Sequence, residues 1–131
     1  MKVVAIVQAR MGSSRFPGKV MKPILGRPMI EILLSRLSRS TELDEVIVAT
    51  SVCSRDDVLV EHLERLGFHC HRGSENDVLL RYLEAAREAR ADVVVRITGD
   101  CPLVDPGLVS EAVKRFRAER VEYLSNVEPP T

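Results

Sequence analysis

Short apolar runs alternate with longer stretches of helical periodicity along all 131 residues, and this constrains the fold more than any other feature. Residues 3–7, VVAIV, form a continuous β-branched run, as a strand covered on both faces requires. A loop follows. Pro28 then opens a helix at a position where its missing N–H costs nothing. Ile30, Leu33, Leu34 and Leu37 form its i, i+3, i+4, i+7 stripe. Residues 45–50, EVIVAT, read as a second strand. Residues 54–67 read as a second helix, with Ser54 as cap, Asp56 and Asp57 at the positive end, and Gly67 as stop. FHCH (68–71) is a short third strand, and 74–89 a third helix with a Ser74/Asp77 capping pair. DVVVRI (92–97) is a fourth strand. Residues 105–119 are a fourth helix, with Asp105 as cap, Pro106 first, and a stripe of Val109, Ala112, Val113 and Phe116. VEYLS (121–125) reads as a last short strand.

Repeated strand–helix units predict a three-layer α/β sandwich on a mainly parallel sheet, as a single domain over 1–131. Right-handed crossovers place helices on both faces. Ligands in such folds sit at the carboxyl ends of the strands, where strand order reverses. With strand order 3-2-1-4, the loops after the first and fourth strands become neighbours.

Composition narrows the partners. Charge balances, with 19 Lys and Arg against 19 Asp and Glu, which argues against a nucleic-acid binder. The balance fails locally: residues 1–30 hold Lys2, Arg10, Arg15, Lys19, Lys22 and Arg27 and no acid before Glu31. A local cationic field in a neutral chain points to a small anionic ligand. Cys53, Cys70 and Cys101 are widely spaced with no CxxC, the pattern of reduced thiols. The first apolar run is too short for a signal peptide, and no stretch reaches the roughly 20 apolar residues of a membrane span. The expectation is a cytoplasmic protein with no membrane or nucleic-acid partner.

Two loops carry the chemistry. RMGSSRFPGK (10–19) offers glycines for close backbone approach and cations for phosphate oxygens; read structurally, it is a set of turns with solvated arginines. It is neither a Walker motif nor GxGxxG. TGDCP (98–102) presents Asp100, either a turn former or a ligand for Mg²⁺. Together the loops provide what phosphoryl or nucleotidyl transfer needs. HCHR (69–72) alternates faces along a strand, so its side chains do not converge on one metal. Cys101 has no histidine near it in sequence to act as base, and the adjacent carboxylate raises its pKa.

The segments VQARMGSSRFPGKVMKPILGRPMIEILLSRL, VIVATS, HRGSENDVLLRY and VVVRITGDCPLVDP resemble the cytidylyltransferases of acidic-sugar activation, above all the spore-coat polysaccharide branch. More distant relatives are the acylneuraminate and deoxy-octulosonate enzymes. The resemblance spans essentially the whole chain. It implies a Rossmann-like fold of the nucleotide-diphospho-sugar transferase type. It also implies reaction of CTP with a sugar or sugar acid to give CMP-sugar and pyrophosphate, with Mg²⁺ as cofactor and a homodimer as the assembly. Carried over by position, Arg10, Ser14, Arg15 and Lys19 match the nucleotide-phosphate loop, with Arg15 and Lys19 in the catalytic role. Ala9 matches a backbone contact to the base, Arg72 a segment near the nucleotide pocket, and Asp100 the metal-binding, catalytic aspartate. Arg96 lies on the same strand. Relatives run longer, so the expectation is the N-terminal part of such an enzyme, binding nucleotide with little or no turnover. The alternatives are a nucleotide-binding module without turnover and a nucleotide-sugar-dependent glycosyltransferase. The latter would call for a DxD-type carboxylate pair, where this turn has Asp100 alone.

Overall fold

The structure is a computed structural model, and it describes residues 2–12, 21, 23–24, 26–98 and 106–119. In chain order its elements are β1 (Val3–Gln8), β2 (Pro23–Ile24), β3 (Arg27–Pro28), α1 (Met29–Leu37) and β4 (Glu45–Ser51). A 3₁₀ turn (Ser54–Asp56) leads into α2 (Asp57–Arg65), followed by β5 (His69–Gly73), α3 (Val78–Glu88), β6 (Val93–Thr98) and α4 (Pro106–Glu119). The main sheet has the order β5-β4-β1-β6 with every pairing parallel, so the condition of a 3-2-1-4 order, under which the loops after the first and fourth strands are neighbours, is met. The short antiparallel ribbon β2–β3 has no hydrophobic signature, and sequence reading did not find it.

β1 is the centre. Val3, Val4, Ala5, Ile6 and Val7 all have zero exposure. Its edges are closed by β4 and β6, so its backbone groups are paired inside the sheet, as burial demands. Side-chain alternation then divides the core. Val7 and Val48 pack with Ile30, Leu33, Leu34 and Leu37 of α1 and with Leu59 and Leu63 of α2. Val4, Ile6, Ile47 and Ala49 point the other way, against Tyr82 and Ala85 of α3 and Ala89 just beyond it. Val113 of α4 packs on Val3 and Val93, and Val109 reaches the α1–α2 cluster. Helices α1, α2 and α4 thus cover one face and α3 the other. Each fully buried aliphatic side chain in these layers contributes about 1.5–3 kcal/mol of transfer free energy.

Two helix starts differ from expectation. The carboxylate of Asp56 does not serve the positive end of α2, because Met11 N–H and the Ser51 hydroxyl occupy it. The chain enters α2 through the 3₁₀ turn, with no side-chain cap. The helix that begins at 74 by capping logic begins at Val78. Ser74 Oγ accepts the Asp77 N–H at 3.1 Å, and Asp77 is itself the cap, accepting from Leu80 N–H at 2.9 Å. The third strand runs past FHCH and takes in Arg72 and Gly73. Asp105 and the 121–125 strand lie outside the described residues.

Both α2 and α3 end in Schellman motifs. At α2, Phe68 N–H reaches Leu63 O and Gly67 N–H reaches Glu64 O, both at 3.0 Å, with Gly67 at φ +91. At α3, Ala91 N–H reaches Ala86 O at 3.0 Å and Arg90 N–H reaches Arg87 O at 3.1 Å. The left-handed position there belongs to Arg90, at φ 55. Its Cβ is strained in that conformation. Arg90→Gly is therefore expected to raise stability by about 1 kcal/mol, read as a higher urea midpoint at constant m-value.

Along β5, His69 and His71 turn toward α3 and share the Glu88 carboxylate, at 2.9 and 2.5 Å. Cys70 turns to the opposite face and packs on the α1–α2 cluster. Burial pushes its thiol up to about 11, Glu64 adds to the shift, and Arg72 opposes it. At pH 8 Cys70 is thus a thiol, three units below its titration. A thiol-labelling reaction at that pH, followed by peptide mass mapping, is expected to leave Cys70 unmodified until denaturant is added.

Candidate functional site

At the carboxyl end of β1 the ladder stops and polar residues begin. Ala9 is buried, and its N–H makes the last strand-like bond, to Ala49 O at 3.1 Å. Arg10 follows, half-buried, with Nη1 donating to Glu75 O at 3.4 Å. Met11 N–H is then held by Asp56 Oδ1 at 2.7 Å. Asp56 is 1% exposed, and its other oxygen receives the Ser51 hydroxyl. The Ser51 Oγ in turn accepts Cys53 N–H at 3.1 Å. One buried carboxylate therefore ties the chain leaving β1 to the chain leaving β4.

Arg72 braces the same end from β5. Its Nε donates to Ser51 O and its Nη2 to Cys53 O, both at 2.9 Å, while Nη1 pairs with Asp57 Oδ1 at 2.8 Å. All three nitrogens have protein acceptors, so the side chain fixes the turn after β4. Arg55 lies across the start of the loop after β1. A Cβ at Gly12 would sit 2.4 Å from its Cζ, and its guanidinium pairs with Glu75. Gly12 thus permits a close approach that a side chain would oppose. On β6, Arg96 stacks over the Tyr82 ring at 4.4 Å. Tyr82 donates its hydroxyl to Ile97 O at 3.2 Å, and burial raises its phenol above the ordinary value, with Arg96 opposing.

Of the residues expected from sequence, Ala9, Arg10 and Arg72 come together at the carboxyl ends of β1, β4 and β5. Ser14, Arg15, Lys19 and Asp100 lie outside the described residues, as does Cys101. Sequence reading missed two members of the site. Asp56 looked like a helix-end charge, because nothing local marks it as the partner of Met11, 45 residues away. Arg81 is fully buried. The signal for it was present: residues 78, 81, 82, 85 and 89 share one helical stripe, and an arginine stands in that otherwise apolar face. Among the described residues, no cluster of three His, Cys, Asp or Glu side chains could hold a metal.

Comparison with known proteins decides the family. Residues 4–131 match the cytidylyltransferase family. The chain belongs to that family. The spore coat polysaccharide biosynthesis protein SpsF of Bacillus subtilis (strain 168) is 35% identical over 132 residues, spanning 98% of this chain and 55% of SpsF. The structure of a cytidylyltransferase from Leptospira borgpetersenii serovar Hardjo-bovis superposes with a TM-score of 0.87 at 39% identity, covering 92% of this chain and 50% of that one. A CMP:2-keto-3-deoxy-manno-octonic acid synthetase, solved in complex with CTP, superposes with a TM-score of 0.82 at 28% identity, covering 92% and 49%. The cytidylyltransferase-family chain described here spans about half the length of the curated relatives it matches. Its fold is the Rossmann-like nucleotidyltransferase fold of these neighbours. No helix among its described residues is long and apolar enough to cross a membrane.

Removing the Asp56 carboxylate leaves a Met11 N–H and a buried Ser51 hydroxyl without their acceptor. Asp56→Ala is expected to destabilise the chain by about 1–3 kcal/mol. Urea unfolding measures the loss, and faster hydrogen exchange at Met11 locates it.

Proposed function

We propose that this chain binds CTP and transfers CMP to an oxygen of a sugar or sugar acid, releasing pyrophosphate, as a step in cell-surface polysaccharide biosynthesis. One observation carries the reading. In a chain whose residues 4–131 match the cytidylyltransferases, an acid-free cationic segment leaves the carboxyl end of the central parallel strand. That is where this fold class binds ligands. The CTP in the synthetase structure supports the nucleotide assignment, and the name of SpsF supports the polysaccharide assignment.

In this reading a sugar oxygen attacks the α-phosphorus in line, and the bond to the pyrophosphate oxygen breaks. Arg10, Ser14, Arg15 and Lys19 hold the phosphates, and Arg15 and Lys19 neutralise charge building on the leaving group. Ala9, at the end of the ladder, offers its backbone to the base. Arg72 fixes the turn after β4 beside it. A sugar carboxylate attacks as an anion and needs no general base; a hydroxyl must lose its proton. A divalent cation such as Mg²⁺, when bound, supplies charge neutralisation and alignment of the phosphates. Asp56, Asp57 and Glu75, the described carboxylates at this end, already have protein partners. Asp100, which matches the metal-binding aspartate of the family by position, is the proposed ligand.

Calorimetric titration with CTP, UTP, ATP and GTP tests the reading, and pyrophosphate release in the presence of sugar acids tests turnover. CTP is expected to bind tightest. Lys19→Ala is expected to weaken it by about 1.5–3 kcal/mol, the worth of a charge-assisted hydrogen bond. Asp100→Asn is expected to keep the fold and lose the Mg²⁺-dependent gain in CTP affinity. Equal affinity for all four nucleotides would overturn the cytidine assignment. Binding without pyrophosphate release would leave a nucleotide-binding module.

A further inference from the structure

Arg81 is the one charged side chain among the largest fully buried ones. Its Nη1 is used twice, donating to Ser74 O and Glu75 O at 2.8 Å each. Its Nε and Nη2 have no partner. Those two nitrogens share one edge of the guanidinium, the side-on fork that matches two oxygens of a phosphate or carboxylate. An arginine does not escape burial by shedding its proton at neutral pH. Burial and then the neighbouring Arg10 pull its pKa below the ordinary value, and Asp56, Tyr82 and Glu75 oppose them.

Glu84 Oε1 lies nearby, 3.5 Å from the Cβ position at Gly73, but neither it nor any other described carboxylate bonds the fork. Asp56 is taken by Met11 N–H and the Ser51 hydroxyl, and Glu75 by Arg55. Arg10 donates to the same Glu75 carbonyl that Arg81 uses, so two guanidinium groups converge on one neutral acceptor. Gly73 makes room for this. A Cβ there would sit 3.1 Å from Arg81 Cγ, tighter than ordinary contact. A buried, half-paired cation beside a second cation is an unfinished site, and its complement is an oxyanion.

We propose that Arg81 is a substrate-binding residue whose Nε–Nη2 edge, with Arg10 beside it, receives an oxyanion group of the substrates. The inference rests on the nucleotidyl-transfer reading above, whose substrates offer two such groups: a phosphate of the nucleotide and the carboxylate of a sugar acid. The clustering of Arg10 and Arg81 beside the chain leaving β1 favours the phosphate. The carboxylate is a second source of the same chemistry.

The 131-residue chain is small enough for arginine side-chain NMR. The Arg81 Nε–H resonance is identified by its loss in Arg81→Lys, or in Arg81→Gln if the lysine variant does not fold. Inorganic pyrophosphate and D-gluconate are then titrated separately into the unsubstituted chain. A shift of that resonance saturating with pyrophosphate assigns the fork to phosphate; one saturating with gluconate alone assigns it to the carboxylate. Arg81→Lys is expected to lose at least tenfold in affinity for the anion that moves the resonance, with cytidine affinity within twofold of the unsubstituted chain. An Arg81 resonance that moves with neither anion overturns the proposal, as does an unchanged anion affinity in a folded variant. CTP titration of the unsubstituted chain separates the two levels. If CTP binds and Arg81 stays silent, this inference fails alone. If neither CTP nor either anion binds, the nucleotide reading fails with it.

Discussion

The architecture depends on the complete burial of β1 from Val3 to Val7. Five consecutive side chains are removed from water on two faces, and both edges are paired. A strand in that position has no solvent-facing side along its length, so polar chemistry collects only at its ends. The boundary is sharp. Ala9 still pairs like a strand residue, while Arg10 turns to the Glu75 carbonyl before α3 and Met11 to Asp56 in the 3₁₀ turn before α2. The carboxyl end of a parallel sheet is a binding region for the same reason: chain leaves the sheet there from several strands at once.

What holds that end together is a set of arginines ending on backbone carbonyls. Arg72 serves Ser51 O and Cys53 O; Arg81 serves Ser74 O and Glu75 O; Arg10 joins at Glu75 O. These carbonyls lie in strand-to-helix turns, where regular backbone bonding is interrupted and acceptors must be satisfied some other way. Long cationic side chains do this while also building positive potential around the site. Three acids stand among them. Glu75 pairs with Arg55 at the rim, Asp57 pairs with Arg72, and Asp56 accepts from an amide and a hydroxyl.

Much of this was legible in the amino-acid order, and the reasons are specific. Ile30, Leu33, Leu34 and Leu37 announced α1 because one face of that helix meets only apolar atoms. Gly67 announced the end of α2 because the left-handed position there suits glycine. Arg90 occupies the equivalent place after α3 and gave no such sign. Ser74 and Asp77 were recognised as capping residues but assigned to the wrong order: Ser74 holds the turn and Asp77 caps. Ala9, Arg10 and Arg72 were chosen by resemblance, and their meeting at one end of the sheet is a property of the strand order. Arg81 broke the apolar stripe of its own helix. That break reads locally as an exposed helix edge, and only the position of the 74–75 carbonyls turns it into a buried clamp.

By itself the sequence determined the four main strands and four helices, the parallel α/β class and the concentration of cations before residue 30; the 3-2-1-4 order, only a condition there, is fixed by the structure. What the sequence determined follows from short-range periodicity and from connection rules that apply to any chain with this alternation. The tertiary structure alone decided that Asp56 faces inward to Met11, that Arg72 is consumed by the β4 turn, and that Arg81 is buried with half its donors unused. Each depends on residues far apart in sequence approaching within hydrogen-bonding distance. The cost of leaving a buried polar group unpaired is set by that three-dimensional neighbourhood, and periodicity along the chain carries no record of it.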